Sequence, residues 1–418
     1  MRIRYGAEKN GKPVKKAIVY TQDEHGINVA DVDSDAVHIV ERLRAAGFET
    51  YIVGGAVRDL MLRKKPKDFD IVSDATPTRI KKLFRNSRVI GRRFRLVHVY
   101  FGPKVFEVST FRSLKDGSSG NTFGTIEEDA LRRDFSVNAL FYDPCAQVVV
   151  DYVGGMKDIR NKLIHPIIPL PVIFKDDPVR MIRAVKYAAT TGFRLPLTLR
   201  WKIPKQAALL APVSPSRLTE EIFKIIHSPH AAAITENLEF FGLYEYLQPN
   251  ASRLMKESEK FRTRYLKGLG ELKGDGNHKP GETIAALIRD YLVDFVDWDA
   301  SDGVASAGIT ENYRNAFIAA RQFVLPMNPP RLELDHAVRL IFAEHGQNVK
   351  KIRFFDRGKG PLHGLTGPQD REGLASADFP GGGIPPQAIA PTGEGAAKKR
   401  RRRRRPGKKP GSTNPPAQ

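Results

Sequence analysis

A short apolar strand, Thr50 to Val53, breaks at Gly54-Gly55 and leaves as a helix predicted over Ala56 to Leu62. A strand that turns straight into a helix at paired glycines brings backbone N–H groups close to a ligand, because glycine carries no Cβ to hold it off and a helix N-terminus attracts phosphate. Arg58, in the first helical turn, adds a positive charge aimed the same way. The next predicted strand, Asp68 to Val72, opens on Asp68-Phe69-Asp70. Residues two apart in a strand share a face, so the two carboxylates converge while Phe69 is expected to point into the core. Alone, such a pair also fits a solvated strand end, and two glycines also fit an ordinary turn.

The surrounding pattern supplies context. Apolar residues Ala36, Ile39, Val40, Leu43 and Ala46 recur at helical spacing before Gly47, and Thr76-Pro77 opens a helix through Phe84. Strands predicted over Leu96 to Phe101 and Lys104 to Thr110 flank Gly102-Pro103 as a hairpin. Glu107 alternates with Val105 and Ser109 on one face of the second strand, where it can stand as a third carboxylate or as an ordinary solvent-facing glutamate. Leu114 to Gly124 reads as a polar, glycine-rich loop. A charged helix is predicted from Ile126 to Leu140, with Asn138 one turn beyond Asp134 on the same face and Arg132 and Arg133 just before it, then a strand from Val148 to Tyr152. Polar groups there can grip a sugar or phosphate, or form a mixed-charge exposed helix.

Beyond Phe174 strand signals fade. Helices are predicted over Pro178 to Thr190, Ser216 to His227, Ala231 to Leu247 and several segments between Glu282 and Phe342. The fold class expected is therefore α+β: an N-terminal arm (1–33), a mixed-sheet head (34–168), a helical neck (169–230) and a helical body (231–354). Residues 355–418, rich in Gly, Pro and Ala and carrying the basic run Lys398 to Arg405, are expected to be a disordered tail.

Composition narrows the partner. The formal net charge of +21 on 418 residues favours a polyanion. A single cysteine, Cys145, excludes an intramolecular disulfide framework and a multi-cysteine zinc site, and no run of about 18 apolar residues marks a membrane segment. These features fit a soluble cytoplasmic protein. Paired hard oxygen donors suit Mg2+ carrying a nucleoside triphosphate, and two such ions can stabilise the attacking and leaving oxygens of a phosphoryl displacement. In Asp176-Asp-Pro-Val-Arg180, Asp177 and Arg180 lie three apart on one helical face. They can serve as a cap and a solvated cation. An acceptor beside a donor fork can also read the Watson–Crick edge shared by adenine and cytosine, which uracil and guanine reverse.

Four segments in this order, Tyr51-Ile-Val-Gly-Gly-Ala-Val-Arg-Asp-Leu60, Lys67-Asp-Phe-Asp70, Arg132-Arg-Asp-Phe-Ser-Val-Asn138 and Asp176-Asp-Pro-Val-Arg180, resemble the class II nucleotidyltransferases, which include bacterial poly(A) polymerases and CCA-adding enzymes. The likeness runs from about His25 to Leu195 and thins to Ser214-Pro-Ser-Arg-Leu-Thr-Glu-Glu221. Val89-Ile-Gly-Arg-Arg-Phe-Arg-Leu-Val-His-Val99 and the Arg-rich tail look like the poly(A) polymerase branch. Two residues depart from the family pattern: Asp176 stands where Glu is usual, and Lys186 where many CCA-adding members have Arg.

The resemblance implies that Asp68 and Asp70 hold Mg2+, that Glu107 is a third carboxylate, and that Asp134 matches an active-site aspartate. It further implies that Gly54, Gly55, Arg58, Arg132 or Arg133, Asn138, Asp177, Arg180 and Arg183 contact ATP. The implied reaction is template-independent transfer of AMP from ATP to RNA 3′ ends. The alternatives are a CCA-adding or A-adding tRNA nucleotidyltransferase and, from another class, a non-catalytic RNA-binding protein. RNA-decay or RNA-chaperone proteins as partners are not legible in the sequence.

Overall fold

A computed structural model of the chain describes residues 2–7, 13–91, 96–113, 122–272, 279–298 and 307–349. The glycine-rich segment 114–121, Arg92 to Arg95 and the basic tail lie outside the described residues. The N-terminal part is a nine-stranded sheet of β1 (Arg2–Ala7), β2 (Pro13–Tyr20), β3 (Thr50–Val53), β4 (Asp70–Ser73), β5 (Ser87–Ile90), β6 (Leu96–Phe101), β7 (Lys104–Thr110), β8 (Leu140–Asp143) and β9 (Val148–Asp151), in spatial order β1-β2-β9-β8-β3-β4-β7-β6-β5. Only β4 and β7 pair in parallel; every other ladder is antiparallel.

Helices α1 (Gln22–His25), α2 (Ser34–Ala45), α3 (Gly55–Met61), α4 (Pro77–Leu83), α5 (Ile126–Leu131) and α6 (Gly155–Asn161) accompany the sheet. The apolar stripe read from the sequence packs α2 inward through Ala36, Ile39, Val40 and Leu43, all fully buried. Tyr51, Val53, Val72, Phe111, Phe141 and Val150 form a core on the sheet, and β3 is buried along its whole length as a central strand requires. At the end of β3, Gly54 takes φ +75° and ψ −140°, a conformation that excludes side-chain-bearing residues and turns the strand at once into α3.

Four sequence expectations are corrected. Asp70, not Asp68, begins β4, so Asp68 sits in the approach to the strand, and Phe69 is half-buried rather than a core residue. The helix predicted over Ile126 to Leu140 ends at Leu131; residues Ser136–Asn138 form one 3-10 turn, and Leu140–Asp143 is strand β8. Asp134 and Asn138 therefore do not share a helical face. The segment Ala231 to Leu247 is two helices broken at Gly242, which adopts φ +67°.

From Leu170 onward the described chain is helical: α7 (Leu170–Asp176), α8 (Val179–Thr191), α9 (Leu197–Gln206), α10 (Pro215–Ile226), α11 (Ala231–Phe240), α12 (Tyr244–Leu247), α13 (Pro249–Glu257), α14 (Glu259–Glu271), α15 (Pro280–Phe295), α16 (Ala307–Phe323) and α17 (Arg331–Glu344). Met181, Ile182, Ala184 and Val185 are the buried stripe of α8, which leaves the polar face of that helix for the sheet's open end. Among the described residues no helix is long and apolar enough to cross a membrane.

Candidate active site

A cavity of about 1100 Å3 opens where the C-terminal end of β3 and the start of β4 meet the polar face of α8 and α10. Gly54, Gly55, Asp68, Asp70, Glu107, Arg132, Arg133, Asp134, Asn138, Asp177, Arg180 and Arg183 all line it. Twelve positions singled out along a stretch of more than a hundred residues thus surround one space. Arg58 does not line it. This residue is buried behind the wall, where its guanidinium donates to Asn138 Oδ1 at 2.7 Å and to Asp59 Oδ1 at 2.8–2.9 Å, and lies 5.3 Å from the Tyr187 ring centroid.

The acidic floor comes from sheet register. Asp70 of β4 is paired with Glu107 of β7, and in a parallel ladder paired residues point to the same side. On its other side Glu107 faces His98 of β6, with His98 Nε2 3.4 Å from its carboxylate. Asp70 is exposed to the solvent of the cavity, but protein surrounds it on most sides. Burial first, and the negative charge of Glu107 second, push its carboxyl up to about 6, with Arg133 acting in the opposite sense. A Cβ placed on Gly54 would come 3.4 Å from Asp70 Oδ2, so the glycine turn brings backbone up to the carboxylate.

The opposite wall is cationic and rests on two buried carboxylates that sequence spacing did not reveal. Asp129 of α5 is 0% exposed; its Oδ1 accepts from Arg132 Nε at 2.9 Å and its Oδ2 from Arg133 Nη2 at 2.9 Å. Glu221 of α10 accepts from Lys186 Nζ at 2.6 Å and from Arg183 Nε at 3.4 Å, with Lys224 Nζ 3.7 Å away. Burial acts to raise the carboxyl of Glu221, but Lys186 and Arg183 outweigh it and hold the group below its ordinary range. Lys186 moves the other way: burial lowers its ammonium, and Glu221 only partly restores it. Arg183 also reaches Asp134 Oδ2 at 3.7 Å, while Asp134 Oδ1 accepts the N–H of Phe135.

The Asp177 and Arg180 side chains both reach the cavity, each with its own ionic partner. Asp177 Oδ1 takes the N–H of Val179 at the start of α8, and its Oδ2 accepts from Arg217 Nη2 at 2.6 Å. Arg180 Nη1 donates to Asp176 Oδ2 at 2.7 Å and to the carbonyl of Ile173 at 3.2 Å. Lys67, Arg112, Tyr187, Arg217 and Lys224 join the lining without having been singled out. The signal for Arg217 and Glu221 was present in the Ser214 to Glu221 segment, whose distance along the chain hid its role.

Two family models match the chain: the poly A polymerase head domain over residues 50–165, and the model described as "Probable RNA and SrmB- binding site of polymerase A" over residues 192–255. Poly(A) polymerase I of Salmonella typhi is 41% identical over 329 residues, which cover 73% of this chain and 70% of that relative. The CCA-adding enzyme of Geobacillus kaustophilus is 33% identical over 239 residues, 55% of this chain and 59% of that one. Among solved structures, the CCA-adding enzyme of Bacillus stearothermophilus in complex with CTP superposes with a TM-score of 0.51 at 25% identity, covering 74% of this chain and 82% of that one. The chain belongs to the class II nucleotidyltransferase family, on its bacterial poly(A) polymerase side.

Proposed function

We propose that the cavity is where AMP is transferred from ATP to an RNA 3′ end without a template. The protein is a polynucleotide adenylyltransferase, as its 41% identity to a poly(A) polymerase I supports. The observation that carries the site assignment is the pairing of Asp70 with Glu107 on the floor of a cavity whose facing wall is arginine and lysine. An acidic floor and a basic wall suit a metal-bound triphosphate, with the reacting phosphate between them.

The carboxylates fit Mg2+. All donors on the floor are hard oxygens, and the crowding of Asp70 and Glu107 is relieved by a divalent cation. Among the described residues no three His, Cys, Asp or Glu side chains close around an ion by themselves, so a bound Mg2+ would need further ligands from phosphates and water. Asp68 and Asp70 would hold it, with Glu107 beside them. Bound there, Mg2+ supplies charge neutralisation at the α-phosphate and acidifies the attacking hydroxyl.

The chain's own groups do the rest by positioning. Gly54 and Gly55 let backbone N–H groups at the start of α3 meet the triphosphate, and Arg132, Arg133 and Arg183 balance its charge. Arg58 holds Asn138 in place from behind. Asp177 and Arg180 present an acceptor and a donor to the base edge, with Asp134 nearby on the sugar side. The sheet-containing part through about residue 168 acts as the catalytic head, 169–230 as a neck and 231–354 as a body that holds RNA, in a cytoplasmic enzyme.

Purified protein incubated with an unstructured RNA oligomer, Mg2+ and each nucleoside triphosphate in turn tests this. A ladder of added A with ATP supports it. A product that stops after C-C-A on truncated tRNA supports the CCA-adding reading, which the likeness to CCA-adding enzymes keeps in play. Binding of RNA with no extension by any nucleotide supports the non-catalytic reading.

A further inference from the structure

We propose that Asp129 is the positioning residue of the nucleotide-binding arginines: its buried carboxylate fixes Arg132 and Arg133 in the orientation that the triphosphate requires. The inference rests on the reading of those arginines as nucleotide contacts.

Helix α5 ends at Leu131, and Arg132 and Arg133 follow as its cap: their N–H groups donate to the Glu128 and Ala130 carbonyls at 3.2 and 3.3 Å, which ties the backbone of both to the last turn and leaves side-chain contacts to aim the guanidiniums. Asp129 is three and four residues before them and divides its oxygens between them. Oδ1 meets Nε and Nη2 of Arg132, each at 2.9 Å; Oδ2 meets Nε and Nη2 of Arg133 at 3.2 and 2.9 Å. Two N–H groups of one guanidinium on one oxygen set the plane of the fork as well as its place. The remaining Nη1 of Arg133 donates to the Asn138 carbonyl at 3.3 Å, and its guanidinium carbon lies 5.3 Å from the Phe141 ring centroid.

Asp129 does not itself line the cavity, whereas both arginines do. One carboxylate between two guanidiniums leaves the cluster with a net positive charge facing the cavity. Without Asp129, two half-buried cations would repel each other and swing apart, and the triphosphate would have to reassemble them at the cost of its own binding.

Asp129→Asn keeps the shape and removes the charge; Asp129→Glu keeps the charge and displaces it by one methylene. Both should raise the KM for ATP about tenfold or more, with kcat at saturating ATP falling less than about threefold and the KM for RNA unchanged. A loss of fold alone would lower the active fraction, hence kcat, without moving KM. Combining Asp129→Asn with Arg132→Ala and Arg133→Ala should leave the KM for ATP within about twofold of the double-alanine protein, since those two side chains carry the effect; the backbone N–H of Arg112, which Asp129 Oδ1 also accepts at 3.3 Å, can donate to the amide oxygen of Asn as well. Parental ATP KM in both Asp129 variants, or an undiminished Asp129→Asn effect in the double-alanine background, overturns the proposal. If the double-alanine protein itself keeps the parental ATP KM, the nucleotide-contact reading fails instead. Should Asp129→Asn not fold, Asp129→Glu carries the same KM test.

Discussion

Asp70 of β4 faces Glu107 of β7 across the only parallel ladder among the described strands, and the pair lies at the base of the cavity, where burial keeps the Asp70 carboxyl near 6. Two carboxylates so placed oppose each other and raise the energy of the folded apoprotein. A cation held there, as proposed above, would relieve the repulsion.

The first prediction separates activity from stability at this pair. Asp70→Asn should lower adenylate addition by at least about a hundredfold, because the metal loses a ligand where transition-state charge develops. Asp68→Asn should do likewise. The melting temperature of the metal-free Asp70 variant should equal or exceed that of the parent, since an amide neither repels Glu107 nor resists burial. Near-parental turnover in either variant removes these residues from the site.

Glu221 behaves in the opposite way. Its carboxyl is held below the usual value of 4.5 by Lys186 and Arg183 despite burial, so its ionised form stabilises the fold above that pH, and the contribution disappears as pH falls through the lowered value. Glu221→Gln should cost about 2 kcal/mol at pH 7, because two half-buried cations lose their buried partner. The stability gap between variant and parent, measured by urea unfolding, should narrow below about pH 4. A gap that stays constant across that range contradicts the ion cluster.

Adjacent glycines should respond differently. Gly54→Ala forces a side-chain-bearing residue into φ +75°, ψ −140°, which should cost about 1–3 kcal/mol and disturb the turn beside Asp70. At Gly55 an added Cβ would meet only Arg58 Nη2 at 3.5 Å, an ordinary contact, and Gly55→Ala should be milder in denaturant unfolding. Equal stability of the two variants would show that the turn tolerates other conformations.

How much of this was legible follows from which forces act locally. The strand–glycine–helix step and the hairpin of β6 and β7 are set by periodicity and turn chemistry, and the structure has both where the sequence puts them. Strand β8 was missed because Leu140-Phe-Tyr-Asp143 is buried on both faces and shows no alternation, and the helix before it stops where Arg132 and Arg133 turn back onto Asp129. Strands β1 and β2 were missed because charged residues dilute their apolar pattern at the sheet edge. Glu221 was invisible as a partner of Lys186 because only tertiary packing of α10 beside α8 joins them. Ten of the twelve positions lie in the four ordered motifs, a signal of chemistry rather than of local structure; Glu107 came from strand alternation, and Arg183 lies one turn beyond the last motif.

The basic run Lys398 to Lys409 lies outside the described residues, but its composition alone makes a prediction. Arginine runs neutralise phosphates and release counterions without reading bases. Deleting the run should weaken RNA affinity at low salt and flatten the salt dependence of binding, while turnover at saturating RNA is largely kept. Unchanged affinity in a filter-binding or anisotropy titration would assign RNA binding to the folded part.

The last prediction concerns which nucleotide is added. Asp177 and Arg180 offer an acceptor and a donor, which match the amino group and ring nitrogen of adenine and of cytosine, so the pair excludes guanine and uracil but not cytosine. Cytosine must be rejected by size: a pocket shaped for a purine leaves a pyrimidine short of contacts, and stacking and positioning are lost in the transition state. In the free protein Asp177 is paired with Arg217 and Arg180 with Asp176. Those partners keep both groups charged and oriented, and a base edge must share or replace them. The expected order of use is therefore ATP well above CTP, with GTP and UTP poor. Asp177→Asn supplies an N–H where guanine and uracil carry an oxygen, so discrimination against GTP and UTP should relax by about tenfold or more, with ATP use reduced. Arg180→Ala should lower both rate and discrimination, because the donor that repels a ring N–H is gone. The readout is kcat/KM for each nucleotide with one RNA primer. If Asp177→Asn lowers all four values by the same factor, the residue holds the pocket together without reading the base.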